Sequence, residues 1–169
     1  MRKYLPGVYA LLLAATVYFR PDGRGMEWPG IFALELSPLE TYTNYIVGGW
    51  SDAGMKAAIR LQVQDDLWIP IYSLTLALGC YLATTGKWGK RWMYGSLIAG
   101  ICDMIENRAI NRMLAGETVQ PWPAISSTFA TIKFLLVIGA VVYTLRAVVR
   151  WIVRKARFSL AETASGMFK

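Results

Sequence analysis

Histidine is absent from the 169 residues of this chain, and cysteine occurs only twice. Without histidine, the chain has no imidazole that could ligate a metal or serve as a general base. Any proton chemistry must therefore use carboxylate, lysine or tyrosine side chains. Cys80 and Cys102 fall inside apolar stretches, so we interpret them as small core residues and not as a disulfide framework. The sequence predicts neither a metal nor a cofactor.

Charged residues are scarce and unevenly placed. They make up 17% of the chain, against roughly 25% in soluble domains, while 55% of the residues are hydrophobic and grouped in long stretches. The net charge is +7, but the basic residues lie beside the apolar stretches and not among stacking aromatic residues. We interpret them as topology determinants and contacts to lipid head groups. This composition predicts an integral membrane protein that does not bind nucleic acid.

The apolar stretches predict an all-α fold, an integral membrane four-helix bundle, in a single domain over residues 1–158 followed by a cytoplasmic tail over 159–169. The predicted spans are 4–19, 67–84, 92–114 and 125–145. The first is short and follows a Met-Arg-Lys start, so a secretory signal peptide is its alternative interpretation.

Arginine and lysine are distributed unequally over the predicted loops. They precede the first span, separate the second from the third, and follow the fourth, whereas the other two loops balance base with acid. Because cytoplasmic loops carry the excess of basic residues, both termini are predicted to be cytoplasmic.

The segment 21–64 between the first two spans is too long for an ordinary connection and should have structure of its own. Ser37, followed by proline and by Glu40 three residues on, predicts a capping box at the start of a short amphipathic helix. A second cap at Ser51 and Asp52 predicts a helix that continues into the second span. We expect this amphipathic segment to be external, either as a lid over the bundle or as an interfacial anchor.

The third span carries the strongest indication of function. Asp103, Glu106 and Asn107 are spaced at i, i+3 and i+4, so they share one helical face at a depth where the hydrocarbon of a bilayer is expected. Polar groups at that depth usually face a partner or a cavity. The alternative is a buried polar cluster that only fixes how the helices pack.

Lys133, in the fourth span, is the expected counter-charge, because it lies at nearly the depth of Glu106. Two acids opposite one base leave one carboxyl group in surplus, which favours a held proton and makes proton donation feasible. The alternative is that Arg108, Arg112 or a cationic ligand neutralises the surplus carboxyl group. Asp103 and Glu106 are therefore the candidate catalytic residues. The candidate ligand-binding residues are Asp66, Tyr72, Asn107 and Lys133. Asp66 can instead be a solvated residue at the outer end of the second span.

In the order of these residues, the chain resembles a bacterial family of small four-span membrane proteins of unknown function. The matching features are Ser37-Pro38, Asp66, Pro70, the pattern Asp103-x-x-Glu106-Asn107, and Lys133. This resemblance implies a bacterial inner (plasma) membrane location.

More distantly, the layout is similar to that of the emopamil-binding and sigma-2-receptor (EXPERA) family, with few matched residues. Members of that family bind sterols and lipophilic amines in an intramembrane pocket surrounded by acidic residues, and some isomerise sterol double bonds. The similarity implies an intramembrane pocket and, as an open alternative, acid-catalysed isomerase-type activity.

Three functions are compatible with these observations. The first is a pocket, open to the outer leaflet, that binds a membrane lipid or a lipophilic small molecule. The second is a small transporter or proton-pathway component, for which dimerisation would be needed because four spans without an internal repeat form a small bundle. The third is a structural subunit or assembly factor of a membrane complex. The pocket is the hypothesis that we carry forward.

Overall fold

The computed structural model describes residues 5–83 and 86–166, with side chains described as far as Val153. All the regular structure within these ranges is helical, as the apolar periodicity predicts. The six helices are α1 (Leu5–Tyr18), α2 (Ile31–Glu35), α3 (Glu40–Gly49), α4 (Asp52–Ala83), α5 (Lys87–Leu114) and α6 (Trp122–Gly166). The outermost residues of two predicted spans, Tyr4 and Thr84, lie outside the described residues. The predicted tail, 159–169, begins within α6, and its last three residues are also outside them.

Among the described helices, α4 and the Trp122–Val153 part of α6 are long and apolar enough to cross a membrane. The apolar helix α1 has 14 residues, fewer than the roughly 17 that a spanning helix needs. Helix α5 is long, but the charged and amide residues on one of its faces lower its average hydropathy. The two qualifying helices indicate membrane association.

Helix α5 lies between α4 and α6 and packs against both, while α1 packs against α4. The close approach of α4 and α5 depends on Gly100, where an added Cβ would lie 2.9 Å from the Cβ of Ser73. A side chain at this position would push the two helices apart. The Gly100 contact therefore helps to bring the polar face of α5 against α4.

The segment that carries α2 and α3 packs onto one end of these helices. Helix α2 contacts α3, α5 and α6, and α3 also contacts α5. A cluster of buried apolar residues joins the segment to α4 and α5, and it consists of Ile31, Leu34, Ile46, Trp50, Ala58, Ile110 and Met113. Burial of this apolar surface holds α2 against the ends of α4 and α5.

One of the two predicted caps is present and the other is wrong. The hydroxyl oxygen of Ser51 accepts a hydrogen bond from the Gly54 amide at 3.3 Å, and α4 begins at Asp52 and continues without a break into the second predicted span. Helix α3, however, begins at Glu40, and no side chain caps it. The Ser37 hydroxyl donates instead to the Leu39 carbonyl at 3.4 Å, within the turn that precedes α3.

Candidate functional site

Lys133 is the centre of a buried ionic cluster formed by three helices. Its ammonium nitrogen Nζ lies 2.8 Å from Oδ1 of Asp103 and 2.7 Å from Oε2 of Glu106, both on α5. A third carboxylate comes from α2, where Oε2 of Glu35 lies 3.8 Å from the same nitrogen. The ion pairs that the sequence predicts between Lys133 and the two acids of α5 are thus present. Three carboxyl groups surround one ammonium group.

Asp103 is held by two donors. The Tyr72 hydroxyl, on α4, donates to Oδ2 of Asp103 at 2.6 Å, and Lys133 donates to Oδ1. Both oxygens of this carboxyl group are therefore hydrogen-bonded. Through Asp103, a single side chain connects α4, α5 and α6.

Glu106 is fully buried, with 0% of its surface exposed. Its contact with Lys133 is an ion pair that lacks the angles of a hydrogen bond, and its other oxygen, Oε1, has no hydrogen-bond partner among the described residues. A carboxyl group in this position is expensive to ionise unless its counter-charge stays in place. Glu106 therefore depends on Lys133 more than Asp103 does.

Glu35 enters the cluster from α2. Burial raises the pKa of the Glu35 carboxyl, and the nearby Lys133 ammonium partly opposes this effect. Its main-chain carbonyl accepts a hydrogen bond from the Ser126 hydroxyl of α6 at 3.4 Å. Side chain and backbone of the same residue thus attach α2 to α6.

Asn107 forms a second polar group with two carboxylates of α4. Its side-chain amide donates to Oδ2 of Asp65 at 2.9 Å and to Oδ1 of Asp66 at 3.1 Å. One amide therefore connects α5 to both adjacent carboxylates of α4, and Asp66 is otherwise exposed.

A partly enclosed cavity of about 590 Å³ lies between residues 20–35 and helices α4, α5 and α6. Its polar lining consists of Arg20, Glu35, Gln62, Asp65, Tyr72, Asp103 and Lys133. Most of the remaining lining is apolar and includes Met26, Ile31, Phe32, Leu61, Trp68, Phe134 and Val137. The volume falls within the roughly 300–1,000 Å³ of small-molecule sites, which combine an apolar wall with a few convergent polar groups.

The predicted site residues fall into two groups. Tyr72, Asp103 and Lys133 line the cavity, whereas Glu106 lies behind the lining in contact with Lys133. Asn107 and Asp66 bond to each other outside the lining.

Three further lining residues, Glu35, Gln62 and Asp65, were not predicted from the sequence. A signal existed for Glu35, which is the only charge in the apolar run between Pro29 and Ser37. Gln62 carried no comparable signal, because a glutamine in a helix of mixed polarity is unremarkable in sequence.

No protein-family model, no curated protein and no solved structure matches this chain.

Proposed function

We propose that this protein is a multi-pass four-helix bundle of the bacterial plasma membrane, with both termini cytoplasmic, and that it binds a lipid or a lipophilic small molecule in the cavity beside Lys133. The observation that carries this proposal is the cavity itself. Its wall is largely apolar, and three predicted site residues that line it, Tyr72, Asp103 and Lys133, are joined by hydrogen bonds. An amphipathic ligand has the same division into an apolar body and a polar head.

The outer surface of α6 supports a membrane setting. Leu135, Ile138 and Val142 are all more than half exposed and follow one another along the helix. Such a continuous apolar surface is costly in water and suits contact with lipid. Phe134, next to Leu135, lines the cavity, so the cavity lies beside this surface. We propose that the ligand enters sideways from the outer leaflet.

The geometry supports binding more directly than acid catalysis. Asp103 can touch a ligand, but both of its carboxyl oxygens already accept hydrogen bonds, one from Tyr72 and one from Lys133. Glu106 does not line the cavity itself, and it contacts the lining residue Lys133. In the binding function, Asp103 and Tyr72 contact the ligand head, and Glu106 positions the Lys133 ammonium.

The test is to fill the cavity without changing its charge. Val137 lines the cavity, whereas its neighbour Ile138 is 60% exposed on α6. Mass spectrometry would identify the molecules that copurify with the native protein and with two variants. Val137→Phe fills the cavity, and Ile138→Phe makes a matched change at the surface. We expect a molecule that is enriched with the native protein and with Ile138→Phe, and lost with Val137→Phe. The same profile for all three proteins would overturn the proposal.

A further inference from the structure

Residues 31–39, which form α2 and the turn after it, expose apolar side chains and bury their charge. Phe32, Leu36 and Leu39 are each at least half exposed, whereas Glu35, the only charged residue of the segment, is buried. A segment that lies between a protein and water normally has the reverse arrangement, because exposed apolar patches are costly in water. The arrangement indicates that something apolar covers this segment.

The exposed surface of α2 continues onto α6. The centre of the Phe32 ring lies 6.3 Å from that of the Phe134 ring, and Leu135, next to Phe134, is itself more than half exposed. Residues 122–145 of α6 contain a single charge, Lys133, and that side chain is buried. Helix α2 therefore lies beside a stretch of α6 that exposes no charged side chain.

Two contacts show how far α2 reaches along α6. The Pro38 carbonyl accepts a hydrogen bond at 3.0 Å from the side chain of Gln120, shortly before α6 begins. Phe32 instead contacts Phe134, which lies about 18 Å along the axis from the first residue of α6. That distance is comparable to the hydrocarbon thickness of one leaflet, about 15 Å. The segment thus runs inward beside α6, away from the end of the bundle.

A groove of about 480 Å³ lies between α2 and α3 on the same surface. Its lining includes Phe32, Leu36, Leu39 and Tyr42. The one hydroxyl among its aliphatic residues, that of Ser37, donates to the Leu39 carbonyl. The groove therefore offers apolar contacts, which suit an acyl chain.

Helix α3 lies at the level where α6 begins. The carboxyl group of Glu40, its first residue, accepts a hydrogen bond at 2.6 Å from the main-chain amide of Gln120. Tyr42 and Tyr45 are exposed on this helix, with ring centres 6.2 Å apart. Tyrosine is enriched at the boundary between membrane and water, where its ring lies among the head groups.

We propose that α2 is immersed in the acyl chains of the outer leaflet, with Phe32 and Leu36 in contact with lipid, and that α3 lies at the level of the head groups. This inference rests on the proposed membrane setting and identifies the bilayer as the partner that covers the exposed surface of α2. Because Phe32 and Phe134 also line the cavity, the cavity wall at this point separates the ligand from acyl chains and not from water.

Spin labels attached to single added cysteines test this placement in the full-length protein. The variants are Phe32→Cys and Leu36→Cys in α2, Leu135→Cys on the exposed surface of α6, and Val119→Cys in the loop between α5 and α6, where Val119 is more than half exposed. The two native cysteines are buried, and the native protein taken through the labelling reaction serves as the blank.

Power-saturation electron paramagnetic resonance in phosphatidylcholine vesicles compares how often each label collides with oxygen, which dissolves in lipid, and with a nickel chelate, which stays in water. At positions 32 and 36, we expect the ratio of oxygen to chelate collisions to be several-fold higher than at position 119 and close to that at position 135. Position 32 should give the higher ratio of the two, because Phe32 lies further from the end of α6.

Three results would contradict the inference in different ways. A preference for the chelate at both positions of α2, with oxygen preferred at position 135, would place α2 in water and leave the membrane bundle standing. Protection of both positions of α2 from both reagents would show that a protein surface, such as a second copy of the chain, covers α2. A preference for the chelate at position 135 would overturn the proposed membrane setting itself. If one of the two α2 variants does not fold, the other decides the test.

Discussion

The Nζ atom of Lys133 lies 2.7 Å from Oε2 of Glu106 and 2.8 Å from Oδ1 of Asp103, so one ammonium group joins two carboxylates that are one helical turn apart. Acids at i and i+3 on a helix project from the same face, and here a single base on the neighbouring helix reaches both. This arrangement holds α5 against α6 at the point where Glu35 also approaches. The Lys133 ammonium group therefore both holds α5 against α6 and lines the cavity.

Lys133→Met should strongly destabilise the protein. The substitution keeps most of the side-chain volume but leaves Asp103 and Glu106 without their counter-charge in a buried position. Removing one partner of a buried ion pair typically costs about 3–5 kcal/mol. Unfolding in neutral detergent, followed by circular dichroism, measures this effect.

Two further variants test the reason for this loss. Lys56→Met changes an exposed lysine of α4 and should alter the free energy of unfolding by less than about 0.5 kcal/mol. Adding Glu106→Gln to Lys133→Met should restore part of the lost stability, because it removes one of the stranded charges. A Lys133→Met protein as stable as the Lys56→Met control would contradict the ionic cluster.

How much of this site follows from sequence depends on whether its residues belong to one helix or to several. The shared face of Asp103 and Glu106 follows from helical periodicity, and the depth of Lys133 along its own span places it opposite them. The start of α4 follows from the cap at Ser51. Each of these inferences uses the regular geometry of a single element.

Glu35 and Gln62 could not be placed by such reasoning. Glu35 reaches the cluster only because the apolar residues of α2 pack onto the ends of α4 and α5. That docking is a tertiary event, and no periodicity within α2 specifies which helix it meets. The predicted cap at Ser37 is wrong for a local reason, because its hydroxyl donates to the Leu39 carbonyl two residues further along the chain.

Tyr72→Phe tests the hydrogen bond that Asp103 accepts from Tyr72. The substitution removes only the hydroxyl that donates to Oδ2 of Asp103 at 2.6 Å. A hydrogen bond to a charged group contributes about 1.5–3 kcal/mol, so the free energy of unfolding should fall by that amount. Tyr94→Phe is the matched control, because Tyr94 is 58% exposed on α5 and its hydroxyl is not needed for the cluster. Equal effects of the two substitutions would contradict the role of Tyr72.

The hydrogen bonds between Ser51 and Glu27, which lies in the loop before α2, should be lost in acid. Oε2 of Glu27 accepts a hydrogen bond from the Ser51 amide at 2.9 Å, and the Ser51 hydroxyl donates to the other oxygen, Oε1. These donors lower the pKa of Glu27 below its ordinary value of 4.5. The unfolded chain therefore binds the proton more readily, so the contact stabilises the fold above the ordinary pKa and is lost as the pH falls through the lower folded value.

Thermal unfolding of the native protein and of Glu27→Gln between neutral pH and pH 3 checks this sign. The native protein should be the more stable of the two at neutral pH, and the difference should shrink in acid. A difference that grows on acidification would contradict the bond to Ser51.

The contact between α5 and α6 at Gly139 should not tolerate even one added methyl group. A Cβ built at Gly139 would lie 2.2 Å from the nearest ring carbon of Trp92, well inside van der Waals contact, and the half-buried ring would have to leave its place between the helices. Overpacking of this kind costs about 1–3 kcal/mol, more than the roughly 1 kcal/mol by which alanine is the better helix former. Gly139→Ala should therefore lower the free energy of unfolding.

Gly48→Ala provides the comparison for Gly139→Ala, because Gly48 is also helical, in α3, and a Cβ there meets nothing within 4 Å. That variant should be as stable as the native protein or up to about 1 kcal/mol more stable. Combining Gly139→Ala with Trp92→Leu should recover part of the loss, since the smaller side chain makes room for the methyl group. If Gly139→Ala instead matched Gly48→Ala in stability, the Trp92 ring could not pack directly against Gly139.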